Sequence, residues 1–203
     1  MRGLMKTAAV TIIIGIFIYS GCILNPKEDK EPTPIGPQKE FRPLTEKENV
    51  IYNLVLSYER TDITHYEELL HNDYIWCNQG YSQDPTDFYS KDEDLRLVRH
   101  MFEAANGRYK PVIDRLYLNI PVFEPDSLNP NGRWNKVDSI PGEGPCDDCW
   151  ETEREYEISV DISQENMTYI GNDIIKLYIA PVIEDGVKKY KIIRAYDLPK
   201  TSS

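Results

Sequence analysis

The sequence predicts one α+β domain in which a curved sheet, mixed or antiparallel, covers its apolar face with helices. Three observations predict this fold class. Apolar residues repeat at helical spacing in the first half of the chain and alternate with polar residues in the second half. Three Ser or Thr residues in the first half each precede a Glu by three positions, as helix starts often do. The 203 residues include 14 tyrosines and 3 tryptophans, which suits a sheet with aromatic packing or an aromatic-lined cavity.

The helices are predicted from capping boxes followed by apolar stripes. The three boxes are Thr45 with Glu48, Thr64 with Glu67, and Ser90 with Glu93. The stripes behind them are Ile51, Leu54, Val55 and Tyr58; Tyr66, Leu69 and Leu70; and Leu95, Val98, Met101, Phe102 and Ala105. The second helix has Asp62 as an alternative start, and the third ends near Gly107, since glycine commonly stops a helix.

Five strands are predicted around and after these helices. The first is "DYIWCNQG" at 73–80, between the second and third helices. The others lie at 111–123, 150–163, 174–183 and 187–197, and their alternation indicates one buried and one wet face. We expect a turn at 171–173 and a hairpin at "EDG", 184–186. The predicted order is therefore α-α-β-α-β-β-β-β.

The N-terminus is typical of an export signal over residues 1–21. Arg2 and Lys6 precede an apolar run that is shorter than the roughly 20 residues a membrane-spanning helix needs. Residues 20–22, Ser-Gly-Cys, resemble the lipobox of bacterial lipoproteins, which implies cleavage before Cys22 and its acylation with chains such as palmitate. Tyr19 stands where that motif usually has an aliphatic residue, so an ordinary secretory signal is the alternative.

Residues 22–43 are rich in proline and charge and lack apolar periodicity, so we expect an extended tether. The membrane is therefore a predicted partner through the lipid anchor. By the same resemblance, Ile23 after the anchor favours the outer membrane if the organism has two membranes. The folded domain is predicted over 44–198, with a tail at 199–203.

The charge balance argues against nucleic acid as a partner. The formal net charge is −11, and loss of the signal, with two cations and no acidic residue, makes it −13. Nucleic-acid binding draws its affinity from Lys and Arg that neutralise phosphates, and the sequence has no basic stripe. About 160 residues remain after signal and tether, enough for one domain with its own core.

The core residues and element order resemble the nuclear transport factor 2-like superfamily, also called SnoaL-like or cystatin-like. The residues that carry the resemblance are Tyr58, Asp62, Tyr66, Leu69 and Leu70 before "DYIW", and Tyr196 and Asp197 in the last strand. It covers 44–198 and implies a curved sheet wrapped around a long helix into a cone, often with a pocket at the open end. The Pro-, Gly- and Asn-rich stretch 124–149 departs from this pattern as an insertion that covers or reshapes one edge.

Cys146 and Cys149 form a Cys-x-x-Cys motif. It precedes a strand, and the two aspartates between the cysteines disfavour a reactive thiolate. In an oxidising compartment a structural disulfide is the default, so we predict a Cys146–Cys149 clamp that leaves Cys77 unpaired; pairing with Cys77 is the alternative. No second ligand pair has a spacing suited to zinc, so no metal site is predicted.

Acid–base chemistry has four candidate residues: His100, Asp114, Tyr117 and Asp73. Enzymes of the resembled superfamily use an Asp or His base with Tyr or Asp donors in an apolar pocket, but none of the four matches a motif that transfers residue by residue.

We therefore expect a protein that binds a small ligand or a protein partner, more than an enzyme, and that needs no cofactor. An isomerase or dehydratase, and an envelope scaffold without ligand, are the alternatives. A homodimer stays open, although the glutamates of 151–157 oppose close self-association through their face.

Overall fold

The helices of this protein pack on one face of a long-stranded sheet. A computed structural model describes residues 39–78, 88–123, 133–162, 164 and 166–200, which contain three helices and seven strands. In chain order these are α1 (Lys47–Arg60), α2 (Ile63–Glu68), β1 (Leu70–Asn78), β2 (Phe88–Ser90), α3 (Lys91–Ala105), β3 (Arg115–Asn119), β4 (Asn135–Ile140), β5 (Gly144–Ile162), β6 (Met167–Glu184) and β7 (Val187–Leu198). The predicted signal peptide and Cys22 lie outside the described residues.

The seven strands form one mixed sheet. Its order is β2-β1-β7-β6-β5-β3, and β4 pairs with β5 as well. The pairing of β1 with β7 is parallel, while the other pairs are antiparallel. The predicted fold class, an α+β domain with a mixed sheet wrapped around helices, is confirmed. None of the described helices is long and apolar enough to cross a membrane.

Helix starts follow local sequence only in part. The capping box of Ser90 and Glu93 is confirmed at α3. Thr64 is wrong as the cap of α2, because the side chain of Asp62, the alternative start, accepts the bond from the His65 amide. An Asp at this position caps at least as well as Thr, and it is further held by the His65 ring at 2.7 Å.

The first predicted capping box, Thr45 with Glu48, is also wrong. Helix α1 has Glu46 at its N-cap, and no side chain caps it. The Glu48 carboxylate does not turn back to the helix start, because a buried arginine from the sheet, Arg154, binds both of its oxygens.

The two longest strands, β5 and β6, make one uninterrupted ladder. The turn predicted at 171–173 is wrong, because Gly171 to Asp173 pair in register with Ile158 to Tyr156. Cross-strand pairing from Trp150 to Ile162 of β5 overrides the local turn preference. The hairpin at 184–186 is confirmed: Asp185 and Gly186 have φ of 53° and 76°, as a two-residue turn of the type I′ class requires.

The outer face of the sheet, opposite the helices, is partly covered by the hairpin of β4 and the start of β5. Neither β4 nor the short β2 is predicted from sequence, because each has too little alternation to stand out. Ile140 and the fully buried Cys149 pack with Ile193 of β7 in a small apolar cluster. At the hairpin tip, Glu143 forms an ion pair with Arg194 of β7. The hairpin is therefore fastened to the sheet by packing and charge.

The main core lies on the inner face, between the sheet and the helices. Helix α1 contributes Ile51 and Leu54, α3 contributes Phe102, and the sheet contributes residues such as Leu177 and Ile192. Apolar alternation predicts this burial correctly on β3, where the side chains at 115, 117 and 119 are exposed. Burial of these side chains is the main stabilising contribution to the domain.

One charged pair sits inside this core and joins three segments. The guanidinium of Arg154 on β5 binds Glu48 of α1 through both Nη atoms, at 3.0 and 2.5 Å. The side chains of the two residues are 0% and 2% exposed, respectively. Arg154 also donates to the Pro121 carbonyl at 2.6 Å, and Glu48 accepts from the Phe123 amide at 3.3 Å. Helix, sheet and the segment after β3 therefore depend on the same pair.

Replacement of Arg154 by Met should lower the free energy of unfolding by about 3–5 kcal/mol, because it leaves the Glu48 carboxylate buried without a partner. The Glu48→Leu/Arg154→Met double variant should recover part of this loss, because it strands no charge. Urea denaturation measures both. Lys176→Met is the control, since the partners of this cation, Glu151 and Glu153, lie on the wetter outer face; it should cost less than about 1 kcal/mol. Strictly additive losses in the double variant would contradict the coupling.

Candidate functional site

An open groove runs between helix α1 and the edge strand β3. It has a volume of about 430 Å³. Its helix wall is Tyr52, Val55, Leu56 and Glu59, its strand wall is Tyr117–Val122, and Lys39 and Arg42 complete the lining. Cavities of several hundred Å³ lined by apolar side chains with a few polar groups are the usual form of ligand sites.

The helix wall of the groove is one face of α1. Tyr52, Val55, Leu56 and Glu59 stand at positions i, i+3, i+4 and i+7, which lie along one side of a helix. Other residues of α1, including Ile51 and Leu54, point into the core. The sequence thus gives α1 two apolar faces, of which only one is fully covered.

The segment before α1 is held along the helix and brings cations to the groove. The Asn53 side chain accepts from the Arg42 amide at 2.9 Å and donates to the Arg42 carbonyl at 2.7 Å. The Arg42 guanidinium lies over the Tyr52 ring, 3.9 Å from its centroid. Lys39 forms an exposed ion pair with Glu59 at 3.2 Å. The groove lining therefore carries two cations and one anion on an otherwise acidic protein.

A buried carboxylate lies in the core beneath α3. Asp94 is 8% exposed, and its Oδ2 accepts from the Tyr66 hydroxyl at 2.7 Å. Burial raises the pKa of Asp94 to about 6, and the Tyr66 bond opposes this rise. Burial, followed by the nearby Asp94 charge, raises the pKa of Tyr66 well above its usual value. The ring of Phe102 packs edge-on against Tyr66, with ring centroids 6.3 Å apart.

A second carboxylate–tyrosine pair lies nearer the end of the sheet. The Tyr156 hydroxyl donates to Asp197 at 3.0 Å. Partial burial raises the pKa of Asp197 to about 6; the Tyr156 bond opposes this rise, and Asp173 adds to it. A carboxyl group that titrates near neutrality beside a hydroxyl donor has the properties of a general acid or base. Neither this carboxylate nor Asp94 is among the groove-lining residues.

The four residues singled out by sequence occupy different elements, and all four are exposed. His100 stacks on Tyr109 at the surface of α3, with centroids 5.2 Å apart. Asp73 on β1 pairs with the neighbouring His71 at 3.5 Å. Asp114 precedes β3. Tyr117 alone lines the groove.

The sequence assigned no buried polar role to Glu48, Arg154 and Asp94, which are buried, or to Asp197, which is half-buried. A signal existed for two of them. Arg154 falls on the apolar side of the β5 alternation, and Asp94 falls in the stripe of α3 with Val98. A charged residue at a core position of a periodic pattern indicates a buried partner.

Cys146 and Cys149 form a disulfide with a Cα–Cα distance of 5.7 Å, within the usual range for such bonds. The motif lies in the first part of β5, so the disulfide is part of the β4–β5 hairpin on the outer face. Cys77 is a buried free thiol, and burial raises its pKa. Among the described residues, no group of three or more His, Cys, Asp or Glu side chains could hold a metal ion.

No protein-family model matches the sequence, and comparison with curated proteins finds no match. Several solved structures are similar at low identity. The β subunit of benzoate 1,2-dioxygenase from Burkholderia mallei is 11% identical, with a TM-score of 0.49 over 74% of this chain and 86% of that chain. A hexachlorocyclohexane dehydrochlorinase, LinA type 2, is 10% identical, with a TM-score of 0.48 over 75% of this chain and 81% of that chain.

A protein with a cystatin-like fold from Caulobacter vibrioides is 10% identical, with a TM-score of 0.45 over 75% of this chain and 85% of that chain. The element order and the mixed sheet around inner-face helices are those that the sequence resemblance implies. The α+β class with a mixed sheet, which this resemblance implies, is therefore present. Identities at this level transfer no activity.

The raised pKa of Asp94 predicts a pH-dependent stability. Because its pKa in the folded state, about 6, lies above the ordinary value of 3.8, the folded protein favours the protonated acid. The resulting stabilisation is present below about pH 4 and is lost as the pH rises through 6. The Asp94→Asn variant, relative to the parent protein, should therefore gain on the order of 2 kcal/mol in unfolding free energy between pH 4 and pH 7.

Urea denaturation at several pH values measures this difference. Asp92→Asn, in the same first turn of α3 but exposed, is the control and should show no comparable change with pH. A constant difference between Asp94→Asn and the parent protein across this range would contradict the assignment.

Proposed function

We propose that this protein is a lipid-anchored, extracytoplasmic binding domain without enzymatic activity. Its binding site is the groove between α1 and β3, and its ligand is a small molecule or a segment of a protein partner. The export signal and lipobox-like residues of the sequence support the anchor. The groove supports binding, and it is the observation that carries the proposal.

Two properties of the groove favour binding over catalysis. Its apolar floor lies beside the tyrosine rings at 52 and 117, while Lys39 and Arg42 provide charge at its lining. Aromatic and cationic groups of this kind recognise ligands that combine an apolar part with an anionic part. The carboxylates with raised pKa, at 94 and 197, are not among the groove-lining residues.

An acid–base isomerase or dehydratase is the second candidate function. The observation that favours it is the Tyr156–Asp197 pair, with a hydroxyl donor 3.0 Å from a carboxyl group of pKa about 6. In this alternative, substrate would enter at the end of the sheet where this pair lies. An envelope scaffold would use neither site.

Binding is tested by nuclear magnetic resonance titration of the mature chain carrying Cys22→Ser with 4-phenylbutyrate and indole-3-acetate. We expect shifts at Tyr52, Val55 and Tyr117 with a Kd of about 1 mM, the affinity typical of ligands of this size. Val55→Glu should abolish them, because it places an anion in the apolar part of the groove.

Val187→Glu is the matched control, since Val187 is exposed at the start of β7, outside the groove lining. It should leave the titration unchanged. Shifts centred on Tyr156 and Asp197 would instead favour the acid–base alternative. No saturable shift anywhere would favour the scaffold.

The anchor is tested by mass spectrometry of the membrane fraction. We expect the N-terminal peptide of the mature chain to begin at Cys22 and to carry fatty acyl chains, because two or more chains hold a protein on a membrane durably. Cys22→Ser should move the protein into the soluble fraction, and Cys77→Ser should not. An unmodified mature chain that begins elsewhere would refute the anchor.

A further inference from the structure

We infer that the groove binds an extended acidic peptide of a partner protein, which adds as a strand to the open edge of β3. This inference rests on the proposed function and deepens it by naming the class of ligand.

Strand β3 ends the sheet on the side of the groove. It pairs with β5 from Arg115 opposite Asp161 to Asn119 opposite Glu157, and among the described strands it has no second neighbour. In an antiparallel pair, alternate residues direct their N–H and C=O groups away from the partner strand. Such an edge is a template for another extended chain.

The shape of the groove suits a chain better than a compact molecule. Six consecutive residues, Tyr117–Val122, form one wall, and the first three of them belong to β3. The five residues of β3 span roughly 16 Å at about 3.3 Å per residue. The groove is open to solvent along this length. A small molecule generally needs a site that buries 70–90% of its surface, whereas an added strand gains backbone hydrogen bonds along its whole length.

The walls also set the side-chain pattern of the occupant. Along an added strand, every second side chain faces the helix wall, where the partly buried Val55 presents an apolar group. The intervening side chains face away from this wall. We therefore expect apolar residues at alternate positions of the peptide.

The charges select acidic residues for the intervening positions. Lys39 and Arg42 lie in the groove lining with one anion, Glu59, which pairs with Lys39 at 3.2 Å. Arg115, at the start of β3, lies outside the lining and opposite Asp161. The mature chain as a whole is acidic, yet its distant charges are screened beyond about 8–10 Å at physiological salt. The local cations therefore decide which peptide is attracted.

The tether of this same chain is a poorer occupant. Residues 22–38 contain four prolines, each of which lacks the N–H that an added strand must donate. A partner protein with an extended acidic segment meets the requirements that this tether does not.

Selection of displayed random dodecapeptides on the mature Cys22→Ser chain tests the inference. We expect enriched sequences that alternate apolar and acidic residues and bind with micromolar Kd. Synthetic versions N-methylated at alternate residues keep the side chains and lose strand hydrogen bonds. N-methylation on one of the two alternating sets should weaken binding at least tenfold, because only one set faces β3.

Variants locate the peptide on the protein. Val55→Glu should weaken binding of an enriched peptide at least tenfold, and Val187→Glu should not change it. Arg42→Glu should shift the selection toward basic residues. The same selection on a chain that begins at Lys39 tests the tether as occupant: enrichment only on this shorter chain would mean that residues 22–38 fill the groove, and would overturn the assignment to a partner.

Two results would overturn the inference outright: no enrichment, or enriched peptides that tolerate both methylation patterns and Val55→Glu. The small-carboxylate titration separates this failure from that of the proposed function. Small carboxylates that still bind at Val55 would leave the groove as a ligand site for molecules other than peptides. Loss of both kinds of binding would remove the proposed function as well.

Discussion

The buried pair of Glu48 and Arg154 is the constraint on which the arrangement of this domain depends. A charge in a core is costly, and only a close, fully hydrogen-bonded partner offsets that cost. Arg154 can satisfy its donors only if α1 lies at one position on the sheet and the backbone around Pro121 turns toward it. That backbone is also one wall of the groove. The pair that orients the first helix therefore also shapes the candidate binding site.

The inner face of the sheet and the groove carry different kinds of side chain. On the inner face, Asp94 and Arg154 form contacts that hold elements together, and Phe102 packs against Tyr58 and Tyr66. The groove has apolar and cationic groups, and the edge of β3 runs along it. A domain built in this way keeps a stable core while offering a separate surface for recognition, which is the physical basis for proposing a binding role.

Features that depend on neighbours in sequence were predictable, and features that depend on distant pairing were not. The α3 capping box and the β6–β7 hairpin lie within a few residues, so their patterns suffice. The role of Glu48 depends on a residue 106 positions away, and the continuity of β6 through Gly171 depends on β5. The groove is formed by residues 52–59 together with residues 117–122, so no single segment of the sequence indicates it. Tyr117 was predicted as a catalytic candidate, and in the structure it lines this groove.

Hydrogen exchange of the Arg154 Nε–H, followed by nuclear magnetic resonance in the intact mature chain, tests the central claim most directly. This proton belongs to the same buried guanidinium and is donated to Thr152 Oγ1 at 3.1 Å. If the Glu48–Arg154 pair holds the helix, the sheet and the groove wall together, it exchanges only when the domain opens. We predict exchange at least about 1000-fold slower than that of the exposed Arg99, the protection expected when exchange requires global or near-global opening. Equal rates at the two arginines would show that the pair opens freely, and would contradict the account.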